Sequence, residues 1–284
     1  MPELPEVESV ARRLEDALRG ATIESALAPG INALKTFDPP LSVLAGHEIL
    51  GVRRRGKNLI VQIDGDLALL IHLMSAGRLQ LYDKHAGPRD RTSRLLVRVD
   101  GGRELRLREF GSKQAAWVKL LGSNQVEQDE AVAKLGPEAW PQPPDVPALA
   151  EVLRAPRPLH TLLRDQRTIA GIGRSWVDEI LWQAHLSPYK RGNDLDQDEL
   201  KRLRQAMLST LGGAIEHYEE VVRLPIPDKL PMPLQVHRHE GEPCPRCGTV
   251  LEAVHFEDYI IAYCPHCQTD GRVLKDRRMS RLLK

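Results

Sequence analysis

The sequence predicts an α+β chain built in several parts: a β-rich first half folded as a sandwich or barrel, a helical second half, and a small cysteine-bearing tail. Three observations predict it. Apolar runs paired around Asp-Gly turns fill residues 21–121, apolar residues at helical spacing follow a proline-rich break, and all four cysteines fall in the last fifth of the chain. With 284 residues, 42% of them hydrophobic, there is material for two domains or one large domain with an appendage.

The first element is a helix. In "MPELPEVESVARRLEDALRG", Val7, Val10, Leu14 and Leu18 recur at helical spacing and Gly20 is a stop. Pro5 suits the first turn, and Glu6 and Glu8 suit its positive end. The β-rich stretch follows. "NLIVQIDGDLALLIHL" is two apolar runs around Asp64-Gly65, and "RLLVRVDGGRELRLREF" repeats the device around Asp100-Gly101. "LGPEAWPQPPDVP" breaks the pattern and reads as a linker over residues 135–147. Beyond it "ALAEVLRA", "LHTLLRDQ", "RSWVDEILWQAHL" and "DQDELKRLRQAMLSTLGGAIEHY" read as helices, and the tail as two short strands. The resulting boundaries are 1–134, 135–147, 148–240 and 241–284.

Net charge is only +1, so bulk composition does not announce a nucleic-acid binder. The bases are clustered, however, in "RRRGK" (Arg53 to Lys57) and "GRVLKDRRMSRLLK". Either cluster alone reads by default as a solvated basic face. The acidic start lacks the apolar core of a signal peptide, and no segment has the length of a membrane span, so a cytoplasmic location is expected.

Cys244, Cys247, Cys264 and Cys267 form CxxC pairs separated by the sixteen residues Gly248 to Tyr263. Four thiolates at this spacing can close a tetrahedron round a structural zinc, with iron the main rival and disulfides behind both. His255 and His266 are spare. The turn Ala170-Gly171-Ile172-Gly173 lies between two helices. It is either a phosphate-binding start of the second helix or a packing joint. At the other end of the chain, removal of Met1 would leave Pro2 with a secondary amine of pKa about 8. Such an amine can attack a sugar carbon and form an iminium, with Glu3 as acid or base and Glu6 as electrostatic support. Taken alone, the stretch also reads as an ordinary capped helix.

"PELPEVES", "RRRGKNLIV", "GIG" before a helix and the two CxxC pairs, in this order, resemble the formamidopyrimidine-DNA glycosylase/endonuclease VIII family over essentially the whole chain. The resemblance implies an N-terminal catalytic β-sandwich with flanking helices, a helix-two-turn-helix DNA-binding domain and a C-terminal zinc finger. It implies a bifunctional glycosylase and abasic-site lyase of base excision repair that flips a damaged nucleotide out of double-stranded DNA. Pro2 matches the nucleophile, Glu3 the catalytic acid, Glu6 a supporting carboxylate and Lys57 a phosphate-gripping lysine. Arg108 and Phe110 in "LREFG" match void-filling residues of "PRRFG". Structural zinc is the only cofactor implied, and a monomer is expected.

Departures from the family pattern are also visible. "HLMSAGRL" stands for "HLGMSGRL", so Ser75 takes the place of a void-filling methionine and Met74 sits one residue early. On a strand that offset would turn Met74 to the opposite face. Arg174 replaces the asparagine of "GIGN", and Tyr259 replaces an arginine five residues before the third cysteine. The stretch Ile215 to Gln235 lacks the base-capping sequence of the 8-oxoguanine enzymes. The expected substrate therefore differs from a typical 8-oxoguanine lesion. The alternative is a damage-binding protein that has lost glycosylase activity.

Overall fold

The computed structural model describes residues 2–30, 32–86, 90–110 and 114–275. The chain forms two compact units, residues 1–134 with 215–231, and residues 135–214 with 232–284.

The first unit opens with α1 (Leu4–Leu18). Its Val7, Val10, Leu14 and Leu18 are buried as the helical spacing predicts, and Gly20 follows its end at φ +80°. Eight strands come next: β1 (Ile23–Leu27), β2 (Ile49–Arg55), β3 (Asn58–Ile63), β4 (Leu67–His72), β5 (Gly77–Tyr82), β6 (Ser93–Val99), β7 (Arg103–Glu109) and β8 (Trp117–Gly122). They pair antiparallel in two sheets, β1-β6-β7-β5 and β2-β3-β4-β8. The sandwich reading is therefore the correct one. Both Asp-Gly hairpins form, as β3–β4 and β6–β7. The inner faces and α1 share one core that includes Leu14, Leu59, Ile71, Leu95 and Leu107. Ile60, Ala68 and Leu70 point the other way, against Val126 and Val132, the latter in the short α2 (Glu130–Ala133). With both faces covered, β3 and β4 read as continuous apolar runs rather than alternating ones.

The second unit holds α3 (Val146–Val152), α4 (Leu159–Arg164), α5 (Arg174–Gln183), most of α6 (Gln197–Val221), a hairpin of β9 (Glu252–His255) and β10 (Ile260–Tyr263), and α7 (Pro265–Thr269). Two expected boundaries shift. Residues 135–147 do not hang as a linker: Gly136 and Ala139 donate backbone hydrogen bonds to Gln166 and Ala170 carbonyls, inside the second unit. Residues 215–231 leave the helical domain, because Tyr218, Val222 and Ile226 are buried in the core of the first unit. Among the described residues no helix is long and apolar enough to cross a membrane.

Candidate active site and metal centre

Glu3 stands at the N-cap of α1 and Glu6 at its third position, and both are almost fully buried while Pro2 is half-buried. Glu6 Oε2 accepts the Glu3 backbone N–H at 2.8 Å, the geometry of a capping box. Glu6 Oε1 accepts from the hydroxyl of Tyr218 at 2.7 Å. Tyr218 is wholly buried, and burial together with the charges of Glu6 and Glu3 pushes its phenol far above the ordinary range, so it remains a donor. Both oxygens of Glu6 are thus held, one of them by the peptide N–H that follows Pro2.

The basic run beside this site is only in part a solvated face. Arg54 is buried against Glu8 (2.9 Å), which also binds Arg12 (2.9 Å), and Arg53 pairs with Glu127 (3.0 Å). Burial opposes ionisation of Glu8, but the two guanidiniums outweigh it and hold its carboxyl below the usual range. Gly56 and Lys57 form the two-residue turn between β2 and β3, with Gly56 at φ +57°. Lys57 is largely buried there. Its charge acts on His72, across from Asn58 in the register; burial first and Lys57 second bring His72 down to about 4. His72 stacks on Trp117 at 5.6 Å and accepts the Met74 N–H on Nδ1 at 2.9 Å, so the neutral ring carries its proton on Nε2.

Met74 and Ser75 lie in the turn from β4 to β5, not on a strand, so the expected change of face does not apply. Met74 takes a left-handed backbone (φ 50°), and its side chain is half-buried while Ser75 is exposed. The turn closes through Gly77 N–H to the Leu73 carbonyl at 2.8 Å, and a Cβ at Gly77 would strike that carbonyl and Ala116. Because Gly77 pairs with Glu109, this turn and Phe110 share one end of the β5–β7 pair. Phe110 is half-buried and outside the core, beneath the Arg108 guanidinium at 4.6 Å. Buried Glu109 accepts the N–H groups of Ala115 and Ala116 at 2.8 and 3.0 Å, tying these two residues back to β7.

In the second unit, Gly171 takes φ +101° and Gly173 is the extended N-cap of α5. Gln166 organises this turn from within. Its Oε1 accepts from Gly171 N–H (2.9 Å), and its Nε2 donates to the carbonyls of Ile172 (2.7 Å) and Arg164 (3.0 Å). Arg174, the first residue of α5, pairs with Asp258 at 2.7 Å and lies over the Tyr259 ring at 5.5 Å. Tyr259 also stacks on Phe256 (4.5 Å), with Arg164 at 4.2 Å from its centroid. The structure therefore brings Arg174 and Tyr259 together. Behind them, buried Asp178 accepts from Ala262 N–H (3.0 Å) and pairs with His237 (2.7 Å), joining α5 to the β9–β10 hairpin.

The four cysteine sulfurs lie within 4.8 Å of one another, and none is in a disulfide. Cys247 Sγ is 3.5 Å from both Cys264 Sγ and Cys267 Sγ, against about 3.8 Å for sulfurs on a tetrahedral zinc. The set fits a closed four-thiolate site. The basic tail from Asp276 lies outside the described residues.

Tyr218, His72, Glu109 and Gln166 escaped sequence reasoning. Only His72 carried a signal, a histidine ending an apolar strand.

Residues 1–112 match the formamidopyrimidine-DNA glycosylase N-terminal domain, and residues 135–225 the formamidopyrimidine-DNA glycosylase H2TH domain. The formamidopyrimidine-DNA glycosylase of Moorella thermoacetica is 35% identical over 89% of this chain and 94% of its own length. That of Enterococcus faecalis is 33% identical over 98% of this chain and 100% of its own. The Lactococcus lactis Fpg, solved in complex with DNA containing N7-benzyl-Fapy-dG, is 30% identical with a TM-score of 0.84, covering 94% of this chain and 100% of that one. These likenesses set the chain among DNA-repair glycosylases made of a β-sandwich, a helix-two-turn-helix segment and a four-cysteine finger. Within that class, it belongs to the formamidopyrimidine-DNA glycosylase family.

Proposed function

We propose that the chain is a bifunctional DNA glycosylase and abasic-site lyase of base excision repair, acting on double-stranded DNA as a monomer through a covalent intermediate on Pro2. The single observation that carries this reading is Glu6, a buried anion anchored by Tyr218 and by the N–H beside Pro2.

The lesion is reached by flipping its nucleotide out of the stack. With Met1 removed, the Pro2 nitrogen attacks C1′. The N–C1′ bond forms as the glycosidic bond breaks; the base leaves with that electron pair and takes up a proton, offset by the proton that the Pro2 nitrogen sheds once bonded, which frees its lone pair. Glu3 gives a proton to the sugar ring oxygen as the ring opens, and the nitrogen lone pair completes the iminium. Loss of a C2′ proton then expels the 3′ phosphate. Loss of a C4′ proton expels the 5′ phosphate, which completes β,δ-elimination. Water hydrolyses the iminium and restores the amine. Lys57 grips a phosphate beside the lesion, with Gly171, Gly173, Arg174 and Tyr259 on the strand elsewhere. Phe110 and Met74 fill the space left by the flipped base, beside Arg108 and Ser75. Cys244, Cys247, Cys264 and Cys267 would hold a structural zinc, which supplies folding stability and no step of the reaction.

The substrate is a lesion other than typical 8-oxoguanine. Supporting this, Met74 is displaced along the sequence, and the stretch from Ile215 is committed to the core through Tyr218, Val222 and Ile226.

Borohydride trapping on abasic-site DNA tests the chemistry. A covalent adduct is expected, absent in Pro2→Gly and in a chain that keeps Met1. Tight binding with no adduct would instead support the damage-binding alternative. Efficient excision of 8-oxoguanine would sink the substrate clause.

A further inference from the structure

Arg54 holds two parts of the N-terminal site at once, and the reaction proposed above makes no use of it. Its Nε donates to Glu8 Oε2 at 2.9 Å, and its Nη1 donates to the Gly56 carbonyl at 3.1 Å. Glu8 lies on α1 two residues beyond Glu6, and Gly56 immediately precedes Lys57 in the turn between β2 and β3. One guanidinium therefore spans from the helix capped by Glu3 to the turn that bears Lys57. Its side chain is 4% exposed and that of Glu8 17%, so water competes little for the pair.

The helix end of this link is itself anchored. The other oxygen of Glu8 accepts from Arg12 Nε at 2.9 Å. Arg12 and Arg13 both reach Glu219, at 3.5 and 2.9 Å, and Glu219 follows Tyr218, the donor to Glu6. These contacts are unequal. Arg12 and Glu219 are 41% and 32% exposed, so their ion pair is of the surface kind that contributes at most about 1 kcal/mol. The Arg54 link is nearly dry, and it reaches the turn.

A fixed spacing between these two points has a chemical purpose. In a nucleotide strand the covalent sugar–phosphate frame limits how far a phosphate can lie from the neighbouring C1′. A protein that grips the one and attacks the other must hold its own two groups at a matching distance. A misplacement of about 1 Å can slow such a reaction about a hundredfold. Arginine suits the task and lysine does not. The planar guanidinium aims its donors in fixed directions, whereas an ammonium is a point charge on a flexible stem.

We propose that Arg54 is a positioning residue that ties the Pro2 end of α1 to the turn bearing Lys57, and so sets the separation between the Pro2 nitrogen and the phosphate that Lys57 holds. The proposal rests on the glycosylase and lyase reading and adds to it the element that spaces nucleophile and phosphate grip.

The test uses the full chain with Met1 removed. Borohydride adduct rate is measured on abasic-site DNA in single turnovers with protein in excess. Affinity is measured on a tetrahydrofuran duplex, which has no leaving group at C1′. Arg54→Lys keeps a charge beside Glu8 but cannot serve both acceptors. In the folded variant the adduct should form roughly 10- to 100-fold more slowly, with affinity changed by less than about threefold. Lys57→Met should slow the unaltered chain too, but should add little in the Arg54→Lys background, where the phosphate is already out of place. Arg174→Met, in the other unit, should weaken binding equally in both backgrounds. A merely stabilising arginine would leave the rate of the folded variant unchanged and the two substitutions independent. Glu8→Gln loosens only the helix end, so it should slow the adduct less and show the same coupling to Lys57→Met. It carries the test if Arg54→Lys does not fold. A rate in folded Arg54→Lys within about threefold of the unaltered chain overturns the proposal alone, as does full independence from Lys57→Met. Binding without any adduct in the unaltered chain overturns the lyase reading, and this proposal with it.

Discussion

The acids at the start of α1 and the arginine at the start of α5 face opposite physical problems. Glu3 and Glu6 are 3% and 4% exposed, and Glu6 is held by donors that cannot move far: a backbone N–H and a wholly buried phenol. Arg174 is half-exposed, pairs with an exposed aspartate and rests on an aromatic ring. A buried carboxylate must be satisfied before any substrate arrives, so its geometry is built into the core. A surface guanidinium meets a solvated phosphate, so its partners can be exchanged at little cost. Glu3 and Glu6 keep the family pattern, whereas Arg174 and Tyr259 depart from it. On the proposed function, the fixed acids would define the reaction and the surface cation would set how tightly the strand is held.

Three experiments would break or sharpen that contrast. The largest effect is expected from metal removal. A structural zinc contributes roughly 10 kcal/mol or more to so small a finger. Chelation or Cys264→Ala should unfold the residues around the cysteines and expose reactive thiols, with one zinc per chain released. Thiols that react freely in the untreated protein, or iron in place of zinc on elemental analysis, would refute this. Next is Tyr218→Phe, which leaves a buried oxygen of Glu6 without its phenol donor, a loss of about 1–3 kcal/mol. A lower denaturant midpoint and slower adduct formation are expected together. An unchanged midpoint would show that Glu6 does not depend on Tyr218. The smallest is Arg174→Met, which should weaken DNA binding uniformly across sequences and lower the salt slope by about one at most. A change in lesion preference instead would mean that the second unit reads the base as well as the strand.

Much of this was legible in the sequence because it depends on local pattern. The Asp-Gly hairpins, the buried stripe of α1 and the cysteine spacing are set by residues a few positions apart, and each formed as expected. What was not legible depends on distant partners. Tyr218 lies 212 residues from Glu6 and looks like any helical tyrosine until the fold brings them together. Arg54 reads as one of three exposed bases, and only the packing of α1 against β2 delivers Glu8 to it. Met74 could not be placed by strand alternation, because a left-handed residue at that position takes it off the strand. The proline-rich stretch after Leu135 looked like a tether because proline marks irregular backbone. Irregular backbone can still be packed, as the bonds of Gly136 and Ala139 to the turn before α5 show.

The amide of Gln166 carries a consequence for how this protein ages and varies. The side chain is needed as both halves of an amide at once: an acceptor for Gly171 and a donor to two carbonyl oxygens. Deamidation would replace the donor with a second acceptor and set a carboxylate against the carbonyls of Arg164 and Ile172. Lysine would fail in the reverse sense, and alanine would leave all three backbone groups without their partner. One hydrolysed amide would be enough to disturb the loop on which the strand is expected to rest.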